Sequence, residues 1–126
     1  MSKLIFVLII FMFINIVLSM LPHQTVLAPS DKIYVVIDVL KETGYYKNNI
    51  ISSVTFMTTK EVSELCEMQD GHFAVGCTQP HWLYPHTFDI YISNEDSDWI
   101  ATLYHEIAHV ECSTEECANL YMNFIR

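Results

Sequence analysis

The rhythm of hydrophobic and polar positions changes several times along this chain. Leu4 to Leu21 is almost wholly apolar and lacks the polar face that a surface helix needs. Beyond Ser30 the apolar residues become periodic. Ile33, Val36, Ile37 and Leu40 recur every three or four residues, which predicts a helix capped by Ser30 or Asp31 and ended by Gly44. A strand over IYVVIDVL is the competing reading. ISSVTFMT alternates as a half-buried strand does, and Thr58 followed by Glu61 has the spacing of a capping box opening a short helix through Leu65. GHFAVGC and TFDIYIS read as two further strands, and TQPHWLYPH between them, with its two prolines, reads as a loop. Asp96 or Ser97 can then cap a helix in which Trp99, Ile100, Leu103, Ile107 and Val110 form an apolar stripe. The resulting order is helix, strand, short helix, strand, strand, helix, helix. That is an α+β domain with a short, mainly three-stranded sheet, preceded by an N-terminal apolar helix.

Met1 and Lys3 give the apolar run a short positive flank, so residues 1–21 read as an export signal or an N-terminal membrane anchor rather than as part of the fold. Val17-Leu18-Ser19 has the small-residue spacing of a cleavage site, while residues 4–21 are also long enough to serve as a membrane tether. Under either reading, Lys3 ahead of the run and no basic cluster behind it predict the rest of the chain on the non-cytoplasmic side. Residues 22–29 read as a spacer and 30–126 as one domain. The hydrophobic share of 52% over 126 residues is inflated by the leader; the remaining stretch of about one hundred residues is enough for a single small core.

Export changes how the four cysteines are read, because an oxidising compartment favours disulfides over free thiols. Cys66, Cys77, Cys112 and Cys117 allow three pairings, of which Cys66 with Cys77 and Cys112 with Cys117 is the most local, each pair flanking turn residues. The formal charge of -9 argues against nucleic acid as a partner, since six basic residues cannot neutralise a row of phosphates.

Candidate chemistry concentrates in YHEIAHVECSTEEC, residues 104–117. On a helix His105 and His109 stand about 40° apart around the axis and about 6 Å along it, so both imidazoles can reach one metal ion. In H-E-x-x-H the histidines bind zinc, and the glutamate between them, here Glu106, takes a proton from the water that attacks a carbonyl.

HEIAH with Thr102 ahead of it resembles the extended signature of the zincin metallopeptidases, over roughly the last thirty residues. Glu111 departs from that signature, which prefers an apolar residue there. The resemblance implies a minimal zincin-like domain, one Zn2+, a peptide or protein substrate, and a third protein ligand that leaves the fourth position open. The spacing from His109 to Glu115 is similar to that of the metzincin branch, which has glycine where this chain has Cys112 and usually histidine where it has Glu115. EECAN also resembles the E-x-x-A-N segment of ImmA/IrrE-type zincins, whose first glutamate binds zinc. Both partial patterns imply Glu115. Ser113 and Thr114 supply the break that a turn before Glu115 requires, and Ser113 with Glu116 has capping-box spacing, which would occupy Glu116 with backbone and turn Glu115 inward. A Cys112–Cys117 bridge would staple that turn.

Other functions use the same residues. A closed structural site could take His105, His109, Cys112 and Cys117 as a His2Cys2 set, and a disulfide-stapled module could bind a partner and catalyse nothing. His72, His81 and His86 read as loop or strand residues, although His81 or His86 could line the cleft and stabilise an oxyanion. Trp82, Tyr84 and Trp99 read as packing residues.

Overall fold

The periodic run after Ser30 is a helix, and the way it ends fixes the position of Tyr45 behind it. A computed structural model describes residues 2–19, 24–68 and 73–125. Its elements are α1 (Ser2–Ser19), β1 (Thr25–Leu27), α2 (Ser30–Thr43), β2 (Ile51–Met57), α3 (Thr59–Leu65), β3 (Gly76–Pro80), β4 (Phe88–Ser93), α4 (Trp99–Ala108) and α5 (Glu115–Ile125). The competing strand over 33–40 does not form. The α2 N-cap is Pro29 rather than Ser30 or Asp31, and its carbonyl accepts from the N–H groups of Lys32 and Ile33. At the other end Gly44 adopts φ 84°, a left-handed conformation that costs a glycine little, and the Gly44 and Tyr45 amides return to the carbonyls of Lys41 and Leu40.

The sheet is four-stranded in the order β1-β2-β4-β3. β1 and β4 lie parallel to β2, and β3 closes one edge antiparallel to β4. The strand beyond the expected three is β1, which lies inside the stretch that reads as a spacer. Three residues are too few to show a period, yet β1 is pinned by Gln24, whose Nε2 donates to the carbonyls of Tyr45 and Ile51 at 2.8 Å each. The expected strand over GHFAVGC also shifts toward the C-terminus. Thr78, Gln79 and Pro80, expected in a loop, belong to β3, whereas Phe73 and Val75 are exposed and Gly71 and His72 lie outside the described residues. Proline is tolerated because β3 is an edge strand and residue 80 occupies a position whose backbone points away from β4.

One face of the sheet carries the core. Val54 and Phe56 from β2 and Ile90 and Ile92 from β4 face Val36, Val39 and Leu40 of α2 and Leu103 and Ile107 of α4. A register shift between Ile51 and Ser53 inserts one extra residue, so that Ile51 joins the same face despite its odd number. The opposite face is more polar: Ser53 Oγ donates to Asp89, the Thr59 and Ser93 hydroxyls bond each other, and α3 covers it with buried Val62. The capping box of α3 forms as expected between Thr58 and Glu61.

Helix α4 begins after Asp98, not directly after Asp96 or Ser97. Asp96 acts one step earlier, accepting from the Asp98 amide at 3.0 Å and from the Thr102 hydroxyl at 2.5 Å. Trp99 packs edge-on against Phe56, as expected, but Trp82 is 84% exposed and packs into no core. The apolar leader forms α1 with exposed side chains from Ser2 to Val17, and Leu21 lies outside the described residues. Among the described residues no helix is long and apolar enough to cross a membrane.

Leu103 joins α4 to both α2 and the sheet and is fully buried. Leu103→Ala should therefore lower stability by about 2–5 kcal/mol, read as a drop in the urea midpoint with both disulfides intact.

Candidate metal centre

Leu103 and Ile107 turn one side of α4 into the core, and this rotation leaves His105 and His109 together on another side, facing the start of α5. Their Nε2 atoms are 3.1 Å apart with the rings close to perpendicular. Glu115 meets both, with Oε2 2.7 Å from His105 Nε2 and Oε1 3.0 Å from His109 Nε2. One donor atom from each of these three residues lies within 4.8 Å of the others, so the group could hold a metal ion. On the far side of the His109 ring, Nδ1 lies 2.9 Å from the Cys112 carbonyl. A carbonyl only accepts, so Nδ1 carries the hydrogen and the Nε2 of the neutral ring directs its lone pair at the other two donors.

The chain reverses within six residues to make this possible. Helical geometry ends at Ala108, residues 109–111 turn, and α5 starts at Glu115 itself. The expected cap is displaced by one position: Thr114, not Ser113, accepts from an α5 amide, that of Cys117 at 3.2 Å, and its carbonyl accepts from Ala118. Glu116 is exposed, with no capping-box bond to Ser113 among the described contacts. Thr114 wins because its hydroxyl stands immediately before the first helical residue, where an N-cap must be. The Cys112–Cys117 disulfide spans the reversal, and Cys66–Cys77 ties the end of α3 to β3, the most local pairing of the four. All four sulfurs are therefore bonded, and a His2Cys2 set drawing on Cys112 and Cys117 does not form. Buried Ala108, Cys112 and Ala118 let α4 and α5 approach closely.

Glu106 points the other way around α4, toward β3, and is 6% exposed. The Thr78 hydroxyl lies 2.7 Å from Glu106 Oε2 and 2.7 Å from its backbone carbonyl. Burial raises the Glu106 carboxyl above its ordinary range; the Thr78 hydrogen bond and the two histidines oppose that shift, and Glu115 adds to it. Gly76 makes this contact possible, because a Cβ there would stand 2.7 Å from Thr102 Cγ2 and 3.2 Å from Glu106 Cγ. Thr78 falls in a stretch expected to be loop, and no signal in the sequence marks it as a partner of Glu106.

Two open clefts of about 720 Å³ and about 480 Å³ flank the group and share Ala74, Gly76, Glu106 and Glu115 in their walls. The strand pairing aims the edge of β3 in the same direction. Val75 and His81 bond β4 through their backbones, so the alternate residues Gly76 and Thr78 present their N–H and C=O groups outward. His81 and His86 line neither cleft. His81 Nδ1 instead accepts from the amides of Leu83 and Tyr84, which organises its own loop, and His86 is exposed with φ 57°. His72 lies outside the described residues. Glu111, the departure from the zincin signature, accepts a 2.5 Å hydrogen bond from the Tyr45 hydroxyl, which explains a charge at that position.

No protein-family model matches this sequence, and no curated protein or solved structure matches it.

Replacing Cys112 and Cys117 together by serine should weaken metal binding by about tenfold while Cys66–Cys77 keeps the sheet edge in place. Competition against a chromophoric chelator measures the affinity, and mass spectrometry of the unreduced chain verifies the remaining bridge.

Proposed function

We propose that this chain is a zinc-dependent metallopeptidase of zincin type, an exported hydrolase that cleaves peptide or similar amide bonds. One observation carries the reading: His105, His109 and Glu115 converge on one point while the buried carboxylate of Glu106 opens into the same clefts. The donor set fits zinc. Two nitrogens at about 2.05 Å from a tetrahedral zinc lie about 3.3 Å apart, and here they lie 3.1 Å apart. Two imidazoles and a carboxylate also leave the fourth position open, as hydrolytic sites require.

Zinc bound there supplies the positive charge that makes water nucleophilic near neutral pH and polarises the scissile carbonyl. The protein's own residues do the rest. Glu106 Oε2 is held by Thr78, so Oε1 is the oxygen free to take a proton from the attacking water and hand it to the leaving amine. Burial favours that transfer by making the carboxylate a stronger base. His109 keeps its orientation through the Cys112 carbonyl. The outward N–H and C=O groups of Gly76 and Thr78 suit an extended chain, which could add to β3 as a strand and bring a peptide bond past Glu106. The two disulfides favour an oxidising, extracellular setting, and α1 would serve as the export signal or as a tether on the same side.

The experiment takes purified protein with one equivalent of zinc and a pooled fluorogenic peptide library. Glu106→Gln should abolish cleavage and leave zinc bound, because its side chain serves the water and not the metal. Glu115→Ala should weaken zinc binding by at least about tenfold, measured by chelator competition. Zinc loss from Glu106→Gln, or unchanged affinity in Glu115→Ala, would overturn these roles. Zinc bound by wild type without any cleavage would favour a disulfide-stapled binding module instead.

A further inference from the structure

The metal-binding turn bonds back to the last turn of α4 through the amides of Val110, Glu111 and Cys112, at 3.0, 3.1 and 3.0 Å. The His109 amide is shared between the carbonyls of His105 and Glu106 at 3.3 and 3.2 Å, and α4 ends one residue before it. These bonds tie the turn only to α4; its link to the rest of the core runs through two tyrosine–glutamate hydrogen bonds at the C-terminal end of α2. Tyr104, immediately before His105, donates to Glu42 Oε2 at 2.8 Å. Glu111, two residues after His109, accepts from Tyr45 at 2.5 Å. The two bonds bracket the H-E-x-x-H segment.

We propose that these bonds set the ligand geometry of the metal centre, with Tyr45 the principal positioning residue; this rests on the zinc reading above. Tyr45 is suited to the task because its own place is fixed three ways. Its ring is buried in the main core, its amide bonds Leu40 behind the left-handed Gly44, and its carbonyl accepts from Gln24. From this anchored position the hydroxyl meets Glu111, two residues beyond His109. Burial and the neighbouring Glu111 carboxylate hold that phenol protonated well above its ordinary range, so it remains a donor at any working pH. The charge of Glu111 is not what the bond requires. An amide oxygen accepts from a phenol as well, which separates this role from metal ligation and from general electrostatics.

The test uses the full chain with both disulfides intact and reads zinc affinity by chelator competition and the visible absorption of the cobalt(II)-substituted protein. Tyr45→Phe and Glu111→Ala should each weaken zinc binding by about tenfold and alter the cobalt spectrum. The double variant should be no weaker than either single one. Glu111→Gln should restore affinity and spectrum to wild type, and Tyr46→Phe, in a neighbouring ring that contacts Lys41 and Lys47, should change neither. Where Tyr45→Phe folds poorly, the Glu111 pair decides, because it leaves the Tyr45 ring in the core. Wild-type affinity and an unchanged cobalt spectrum in Glu111→Ala would overturn the proposal while leaving the zinc reading intact. A wild-type chain that takes up no zinc would overturn both.

Discussion

Everything at the candidate site depends on one reversal, the return of the chain from His109 to Glu115. A continuous helix would carry residue 115 about 9 Å along the axis beyond residue 109, out of reach of either imidazole. Instead α4 stops, three residues turn, and the carboxylate comes back to within 3.0 Å of His109 Nε2. Thr114 caps α5 so that Glu115 is its first residue, and the Cys112–Cys117 bridge limits how far the loop can open. The Cys112 carbonyl, inside the same loop, also fixes the His109 ring. A single stapled turn therefore places the third donor and chooses the tautomer of the second.

The edge of the sheet supplies the complementary half. Gly76 removes the side chain that would push β3 off α4, and the gap it leaves is filled by Thr102 and the stem of Glu106. Thr78 then reaches the carboxylate directly. Cys66–Cys77 holds this strand from the opposite face, consistent with its odd-numbered position, so the two disulfides brace the two sides of one cleft. The donors themselves are unequally shielded. The histidine side chains are 22% and 15% exposed while that of Glu115 is 74% exposed, so the carboxylate closes the group from the solvent side.

How far the fold and the site can be read from residues depends on what each element needs. α2 and α4 announce themselves because a helix packed on a sheet must repeat its apolar residues every three or four positions, and Val36, Leu40, Leu103 and Ile107 do so. H-E-x-x-H is legible for the same reason, since both histidines must fall on one face. β1 is invisible because three residues with a mixed burial pattern carry no period. β3 is easily misplaced because its apolar neighbours Phe73 and Val75 are exposed, while the residues that pair include a proline that only an edge strand accepts. Long-range side-chain partners leave no local trace at all. Nothing near Glu106 in sequence points to Thr78, and nothing near Glu111 points to Tyr45, 66 residues away.

Glu111 shows how a departure from a motif can be explained by its surroundings. A charge this close to a metal group in a chain of net charge -9 would ordinarily repel the Glu115 carboxylate and add to local anionic crowding. Here a phenol meets it at 2.5 Å and occupies one of its oxygens with a directional bond. An apolar residue at 111 could pack but could accept nothing, leaving the Tyr45 hydroxyl to find another partner in a half-apolar environment. The carboxylate therefore substitutes a directional contact for a packing contact at the end of α4. The ligand turn, whose own amides bond back only to the last turn of α4, gains a link to the core through that contact.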